Sequence, residues 1–106
     1  MDRKSKNRYS IRAAILKAMA HPSRLIMLDA LSQREHCVCE LTDLVDADIS
    51  TVSKHLTVMK NAGIVEDDKR GQMVFYRLKT PCLLKFFSCV ESVLQKQVKE
   101  HAALIA

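Results

Sequence analysis

The sequence has few of the residues that interrupt helices or build long loops: among 106 residues there are two glycines, two prolines and no tryptophan. So few turn-forming residues favour a mainly helical chain. The sequence also lacks any apolar run near the ~18 residues that a membrane-spanning helix needs. Its first residues are too polar for a secretory signal. We therefore expect a single globular domain in the cytoplasm.

Positive charge is in excess. Lysine and arginine together number 17 against 12 aspartates and glutamates, which gives a formal net charge of +5. A basic balance is typical of a protein that binds nucleic acid, although an anionic membrane surface would also fit. The four cysteines would suggest disulfides in a secreted protein. In a reducing cytoplasm they are more often metal ligands, redox-active groups or inert packing.

Hydrophobic spacing predicts four helices in the first part of the chain. A polar, basic segment at residues 1–8 is expected to form a flexible arm, and residues 9–106 to form the folded domain. Apolar side chains recur at the helical period in four stretches, which are residues 9–20, 22–31, 37–45 and 50–62. These stretches indicate four consecutive helices with short connections.

The spacing of the apolar residues changes after Gly63, which is a residue suited to end a helix in the left-handed conformation. Residues 64–68 and 73–78 are predicted to form two strands, joined by a turn at 69–72. A last helix follows Pro81. The predicted fold is therefore mainly α with a small β-hairpin, in the order α-α-α-α-β-β-α of a winged helix-turn-helix.

The fourth helix has one apolar and one polar face. Val52, Leu56 and Met59 form the apolar stripe, and the short polar and cationic side chains opposite would let the helix lie in a DNA major groove. We predict DNA contacts from this helix and from the hairpin tip, namely Ser50, Thr51, Ser53, Lys54, His55, Lys69, Arg70 and Gln72. A solvated helix face would look similar, but the hairpin directly downstream favours DNA. His55 lies nearer the apolar stripe, so a structural histidine fits there as well as a phosphate contact.

Cys37 and Cys39 stand at the entrance of the third helix. Cys37 occupies the N-cap position of a capping-box pattern that Glu40 completes. The positive end of the helix dipole favours thiolates, and soft thiolates select soft metals. Residues two apart inside a helix point about 200° apart, so we expect the first turn to fray when both bind one ion. Such fraying would disturb the neighbouring fourth helix. Free cysteines also pack as small apolar residues.

Several segments, in the right order over roughly residues 9–95, resemble signatures of the ArsR/SmtB family of repressors. They are His21-Pro22-Ser23-Arg24-Leu25, Cys37-Val38-Cys39-Glu40-Leu41, Ser50-Thr51-Val52-Ser53-Lys54-His55-Leu56, Asn61-Ala62-Gly63-Ile64-Val65 and Phe75-Tyr76-Arg77-Leu78. The set is specific, although no single segment is. The resemblance implies a homodimeric winged-helix repressor that leaves its operator when a metal ion or metalloid binds.

The thiol segment departs from the family's arsenic box, which often reads Cys-Val-Cys-Asp-Leu-Cys, because Thr42 stands at the position of the last cysteine. The resemblance still implies As(III) or Sb(III) first, with Cd(II), Pb(II) or Hg(II) as alternatives. A third ligand could be solvent or an exogenous group, His36, or a cysteine near or in the last helix, Cys82 or Cys89. These last two could equally pack in a dimer interface. The carboxylate and histidine ligands of zinc-sensing relatives are missing, and only His101 lies near the chain end.

The first and last helices carry more apolar surface than a monomer of this size can bury. This predicts a homodimer through these helices, with two recognition helices about one DNA turn apart on a two-fold-symmetric operator. A repressor of the same fold switched by cysteine oxidation or persulfidation is an alternative, but the family's usual cysteine pair would fall near Asp29 and Leu94. A thiol enzyme is not expected, because no Cys-x-x-Cys or Cys/His/acid set is found. Constitutive DNA binding would leave Cys37 and Cys39 without a purpose.

Overall fold

The computed structural model describes residues 1–105 as five helices and three strands. The helices are α1 (Arg3–Met19), α2 (Pro22–Gln33), α3 (Val38–Val45), α4 (Ile49–Asn61) and α5 (Leu83–Ile105). The strands are β1 (His36–Cys37), β2 (Val65–Arg70) and β3 (Met73–Leu78). The mainly helical winged helix-turn-helix is confirmed. The predicted domain extends to residue 106, which lies outside the described residues.

Helix α1 begins earlier than the sequence suggests. Asp2 caps it: the Asp2 Oδ1 atom accepts a hydrogen bond from the Ser5 N–H at 2.8 Å, and the Asp2 carbonyl accepts from the Lys6 N–H at 3.1 Å. An N-cap aspartate satisfies N–H groups that otherwise have no partner at a helix start. Residues from Arg3 onward therefore belong to α1 rather than to the flexible arm predicted for residues 1–8.

The core forms where α2, α3 and α4 pack together over the sheet. Its fully buried side chains include Met27, Leu28, Leu41, Val52, Leu56 and Met59. Burying one such leucine or methionine side chain contributes about 1.5–3 kcal/mol. The predicted apolar stripe of α4 is confirmed as part of this core, and its burial fixes which face of α4 points outward.

Two glycines shape the wing, the hairpin formed by β2 and β3. Gly63 ends the connection from α4 with a φ of +79°, and Gly71 opens the hairpin turn with a φ of +64°. Arg70 pairs with Met73, so the turn is only Gly71 and Gln72. A glycine with positive φ at the first of two turn positions suits a type II′ hairpin. The four-residue turn predicted at 69–72 is therefore wrong, because β2 continues through its first half.

Strand β1 is absent from the predicted element order. Its two residues pair antiparallel with β3, His36 with Tyr76 and Cys37 with Phe75, and the sheet order is β1-β3-β2. Two residues are too few to show a strand period. The strand matters for function because it attaches the thiol segment to the wing by backbone hydrogen bonds.

The outer surface of α1 and α5 is rich in exposed apolar side chains. Large ones on α5 include Phe86, Val90, Val93, Leu94 and Val98, and on α1 Tyr9, Ile11 and Leu16. A cavity of ≈540 Å³ lies between α1, α2 and α5 and is lined mainly by apolar side chains. Within residues 1–105, no helix is both long and apolar enough to cross a membrane.

Candidate functional site

The outward face of α4 is polar, exposed and held in place by a cap. The Asp48 Oδ1 atom accepts hydrogen bonds from the Thr51 N–H at 2.8 Å and from the Ser50 hydroxyl at 3.1 Å. Ser53 and Lys54 are exposed beside them. Lys54 forms no salt bridge with any residue in 1–105, so its ammonium group is available to an external anion.

His55 is half-buried, whereas the other predicted DNA contacts of α4 are exposed. The Arg24 Nε–H donates to His55 Nδ1 at 3.0 Å, and the rings of His21 and His55 lie 4.4 Å apart. The His21 Nδ1 atom in turn accepts from the Ser23 N–H at 3.1 Å, which caps α2. His55 therefore joins α4 to the start of α2, and its contact with DNA stays a prediction.

The neutral form of His55 stabilises the fold. Burial, followed by the positive charges of His21 and Arg24, lowers the pKa of His55 below its usual value of 6.5. The unfolded chain then binds the proton more readily, so this contribution to stability is present above pH 6.5 and is lost as pH falls through the folded-state pKa. We therefore expect the urea concentration at the midpoint of unfolding to decrease when the pH is lowered from 7.5 to about 5.5.

A His55→Asn variant separates this effect from other titrations, because its side-chain oxygen can still accept from Arg24 without titrating. We expect the drop in urea midpoint to be smaller in the variant than in the wild-type protein. An equal drop in both proteins would assign the pH dependence to other groups.

The tip of the wing carries two neighbouring cations, Lys69 and Arg70, with different surroundings. The Arg70 guanidinium donates to both Glu35 carboxylate oxygens, at 2.7 and 2.9 Å, and to Asp68 at 2.9 Å. It also lies over the Phe75 ring, 4.4 Å from its centre. Lys69 is exposed and forms no salt bridge within the described part of the chain. A phosphate contact by Arg70 would require it to exchange carboxylates for phosphate.

Lys69→Ala should lower the salt dependence of operator binding more than Arg70→Ala. Each phosphate contact contributes about 0.9 to the slope of log affinity against log salt, and the charge of Arg70 is already balanced by Glu35 and Asp68. Operator affinity measured between low and moderate salt gives both slopes. A larger loss of slope in Arg70→Ala would show that DNA displaces Glu35 from Arg70.

The thiol pair is brought together at the start of α3. The predicted capping box is present: the Glu40 N–H donates to Cys37 Sγ at 3.4 Å, and the Cys37 N–H donates to Glu40 Oε1 at 3.2 Å. The Sγ atoms of Cys37 and Cys39 are bonded to each other as a disulfide, with their Cα atoms 5.4 Å apart. The two sulfurs meet here without fraying of the first turn, and fraying on ion binding stays a prediction. Cys37 has the extended backbone of an N-cap (φ −78°, ψ 161°), so both sulfurs converge with the first turn intact.

The Glu40 carboxylate contacts Arg34, His36 and the backbone of Cys37. Hydrogen bonds from Arg34 and from the Cys37 N–H lower the pKa of Glu40 to about 2. Its Oε2 atom lies 2.7 Å from an Arg34 nitrogen and 3.3 Å from His36 Nδ1. The other ring nitrogen of His36 lies 3.1 Å from the Ala30 carbonyl oxygen. His36 could therefore bind a metal only by giving up one of these contacts.

The thiol pair opens into a cleft between α4 and the wing. This cleft has a volume of ≈340 Å³ and is lined by Cys37, Val38, Cys39, Ile49, Ser53, Gln72, Met73 and Val74. Its lining thus includes two predicted DNA contacts, Ser53 and Gln72. Cys82 and Cys89 are exposed, carry free thiols and lie outside the cleft. Within residues 1–105, no group of three or more His, Cys, Asp or Glu side chains is arranged to hold a metal ion.

Met73 also lines this cleft, and no pattern in the sequence indicates it. Its proximity to the thiols follows from the β1–β3 pairing, and a two-residue strand gives no signal from which that pairing could be found. Pairing within the hairpin places Met73 opposite Arg70. No cysteine is close to Met73 in the sequence.

Known proteins resemble this chain over the same elements. Residues 21–67 match the family described as "Bacterial regulatory protein, arsR family". The uncharacterized HTH-type transcriptional regulator Rv0081 of Mycobacterium tuberculosis is 28% identical over 98 residues, 92% of this chain and 86% of that protein. The regulator MJ1325 of Methanocaldococcus jannaschii is 39% identical over 65% of this chain and 79% of its own length. The cadmium resistance transcriptional regulatory protein CadC of Listeria innocua is 34% identical, over 63% and 57% respectively.

Three solved structures resemble this chain over most of its length. The crystal structure of Rv0081 has a TM-score of 0.80 and 27% identity, over 89% of this chain and 95% of that one. The homodimeric winged helix-turn-helix domain Mb0332 of Mycobacterium bovis has a TM-score of 0.81 and 26% identity, over 95% and 94%. The transcriptional repressor BigR of Xylella fastidiosa has a TM-score of 0.72 and 29% identity, over 88% and 96%. This chain belongs to the arsR family of bacterial regulatory proteins, and it is a DNA-binding transcriptional regulator rather than an enzyme.

Proposed function

We propose that the protein is a cytoplasmic, homodimeric repressor that leaves its operator when a thiophilic metal or metalloid binds Cys37 and Cys39. The observation that carries this proposal is the convergence of the two sulfurs in a cleft whose other walls are α4 and the wing. An ion held there lies next to both elements that contact DNA. Similarity to the cadmium resistance regulatory protein CadC supports a response to metal, and similarity to the transcriptional repressor BigR supports repression.

The reduced donor pair suits a soft ion. The two thiolates can bind one centre without unwinding α3, and the N–H group of Glu40 already points at Cys37 Sγ. We propose As(III) or Sb(III) as the inducer, with Cd(II), Pb(II) or Hg(II) as the alternatives, because soft thiolates select such ions. Within one protomer Cys82 and Cys89 lie outside the cleft, so as ligands they would have to come from the partner. Solvent or an exogenous thiol can otherwise complete the site.

Ion binding would act on DNA through two connections. Cys37 caps α3, and α3 packs on the buried side of α4 through Leu41. Cys37 also pairs with Phe75 of the wing. When Cys37 Sγ binds an ion, it becomes a weaker acceptor for the Glu40 N–H than the free thiolate, which weakens an N-cap interaction that is typically worth about 1 kcal/mol. Coupling free energies of about 1–3 kcal/mol are typical of such regulation, so changes of this size on both protomers are enough to release DNA.

The dimer would form through α1 and α5. Their exposed apolar side chains form a continuous surface that a second copy can cover, and the similar domain Mb0332 is homodimeric. Two-fold symmetry would then set two α4 helices about one DNA turn apart, which requires an operator with matching symmetry. Ser50, Thr51, Ser53 and Lys54 would read the groove, with His55, Lys69, Arg70 and Gln72 beside them.

Fluorescence anisotropy of the reduced protein on a labelled promoter fragment from its own operon tests the proposal. Titration with As(III), Sb(III), Cd(II), Pb(II), Zn(II) and Hg(II) should give release at the lowest concentrations with As(III) and Sb(III). A variant with Cys82→Ser and Cys89→Ser serves as the matched control and should respond like the wild-type protein. Release by none of the ions would overturn metal sensing, whereas loss of release in this variant would move the site to α5 and its N-terminal flank.

A redox switch is the second candidate, and the disulfide between Cys37 and Cys39 is the observation that favours it. Oxidation by hydrogen peroxide would convert the two thiols into this disulfide and produce two molecules of water. The same anisotropy assay distinguishes the candidates. Release by peroxide in the absence of metal, reversed by dithiothreitol, would assign the switch to oxidation.

A further inference from the structure

The cleft that contains the thiol pair is lined by a third side chain that carries sulfur. Met73, the first residue of β3, lines the same cleft as Cys37 and Cys39. The register that pairs Cys37 with Phe75 holds the start of β3 beside the thiols. The side chain of Met73 is 46% exposed, so it is not committed to the core and can turn within the cleft.

We propose that Met73 is a thioether ligand to an ion bound by Cys37 and Cys39, and that the complete site fits Cu(I). This inference rests on the proposed function, since it takes the thiol pair as the inducer site. Thiolate and thioether sulfurs favour soft centres such as Cu(I), Zn(II) and Fe–S clusters, and Cu(I) is the one among them whose single charge suits a neutral third donor. Two thiolates and one neutral thioether provide three soft donors that can converge from β1, α3 and β3.

The charge of the donors separates Cu(I) from As(III). One thiolate already neutralises Cu(I), so a neutral third donor leaves a complex of low charge. As(III) requires three anionic donors for neutrality, and a thioether cannot replace the missing third thiolate. Met73 would therefore strengthen the binding of Cu(I) and contribute nothing to As(III).

The rest of the lining excludes hard cations. Val38, Ile49 and Val74 make apolar walls, and within residues 1–105 the remaining lining consists of the polar side chains of Ser53 and Gln72. Among the described residues, no carboxylate lines the cleft. Magnesium and calcium require several oxygen ligands, carboxylates above all, so this cleft offers them no adequate site.

With Met73 as a ligand, the ion would be bonded directly to the wing, which is one of the two elements proposed to contact DNA. Met73 follows Gln72 at the wing tip, and Ser53 of α4 lies on the opposite wall of the same cleft. An ion bonded to all three sulfurs would fix the wing relative to α3. It would also occupy the space between the wing and the recognition helix.

The test uses the reduced full chain without oxygen, with Cu(I) delivered from a competing chelator such as bathocuproine disulfonate. Met73→Leu keeps an apolar side chain of similar size but removes the sulfur, and Ile49→Leu is the control in the same cleft. We expect Met73→Leu to weaken Cu(I) binding by about tenfold or more, because losing even an outer-shell partner of a metal ligand costs about 10–100-fold. As(III) binding and operator binding by the metal-free protein should stay unchanged, and Ile49→Leu should match the wild-type protein.

Sulfur counting by X-ray absorption gives an independent result. The copper in the wild-type protein should have three sulfur neighbours and the copper in Met73→Leu two. Equal Cu(I) affinity and equal sulfur counts in both proteins would overturn the role of Met73 and leave the thiol site standing. Unchanged Cu(I) binding and unchanged ion-dependent release after Cys37→Ser would instead overturn the thiol site itself, and with it the proposed function.

Discussion

Replacing Cys37 or Cys39 with serine should leave operator binding intact and abolish release by As(III) or Sb(III). Serine is among the best N-cap residues, so Cys37→Ser turns the capping box with Glu40 into its most common form, Ser-x-x-Glu. Cys39 is exposed, and a serine there disturbs no buried contact. Both variants therefore preserve α3 and the position of α4, while each removes one of two soft donors.

The size of the effect follows from chelation. The second thiolate of a pair binds its ion intramolecularly, which raises the overall affinity by about 10²-fold or more. We expect each single variant to need at least that much more As(III) for half-release in the anisotropy assay. Thermal unfolding of the metal-free variants serves as the control and should match the wild-type protein. Normal release from both variants would assign ion binding to Cys82 and Cys89.

Local signals made the DNA-binding elements and the thiol cap predictable. The N-cap pattern of Cys37 and Glu40, the apolar stripe of α4 and the positive-φ stop at Gly63 each depend on residues within a few positions of one another. Interactions of this range leave a periodic or positional mark in the sequence. The polar face of α4 was predictable for the same reason, since burial of one stripe determines the opposite one.

Long-range contacts could not be found in this way. Arg70 lies 35 positions from Glu35 in the sequence, and neither residue has a pattern that indicates its partner. Met73 meets the thiols only because β1 pairs with β3. A flexible arm at residues 1–8 was expected from charge alone, whereas Asp2 provides a cap that starts α1. The sequence thus predicts the polar face of α4 and the thiol cap of α3 but not how the wing is joined to them.

Lys54→Ala should weaken operator binding strongly without changing the stoichiometry of metal or metalloid binding. Lys54 is exposed on the outward, polar side of α4 and forms no salt bridge in residues 1–105. A direct contact with a base edge is worth about 1–3 kcal/mol, and a dimer loses two such contacts. Operator affinity should therefore fall by about 30-fold or more at constant salt.

Lys60→Ala is the matched control, because Lys60 lies on the same helix but its ammonium group binds Asp67 at 3.0 Å. Both variants remove one positive charge per protomer, so a general electrostatic effect would weaken DNA binding equally. If α4 reads the groove through Lys54, only Lys54→Ala produces the large loss, and the loss depends on the operator sequence. Equal affinities for the two variants would take Lys54 out of the groove and leave DNA recognition to the hydroxyl side chains of α4 and to the wing.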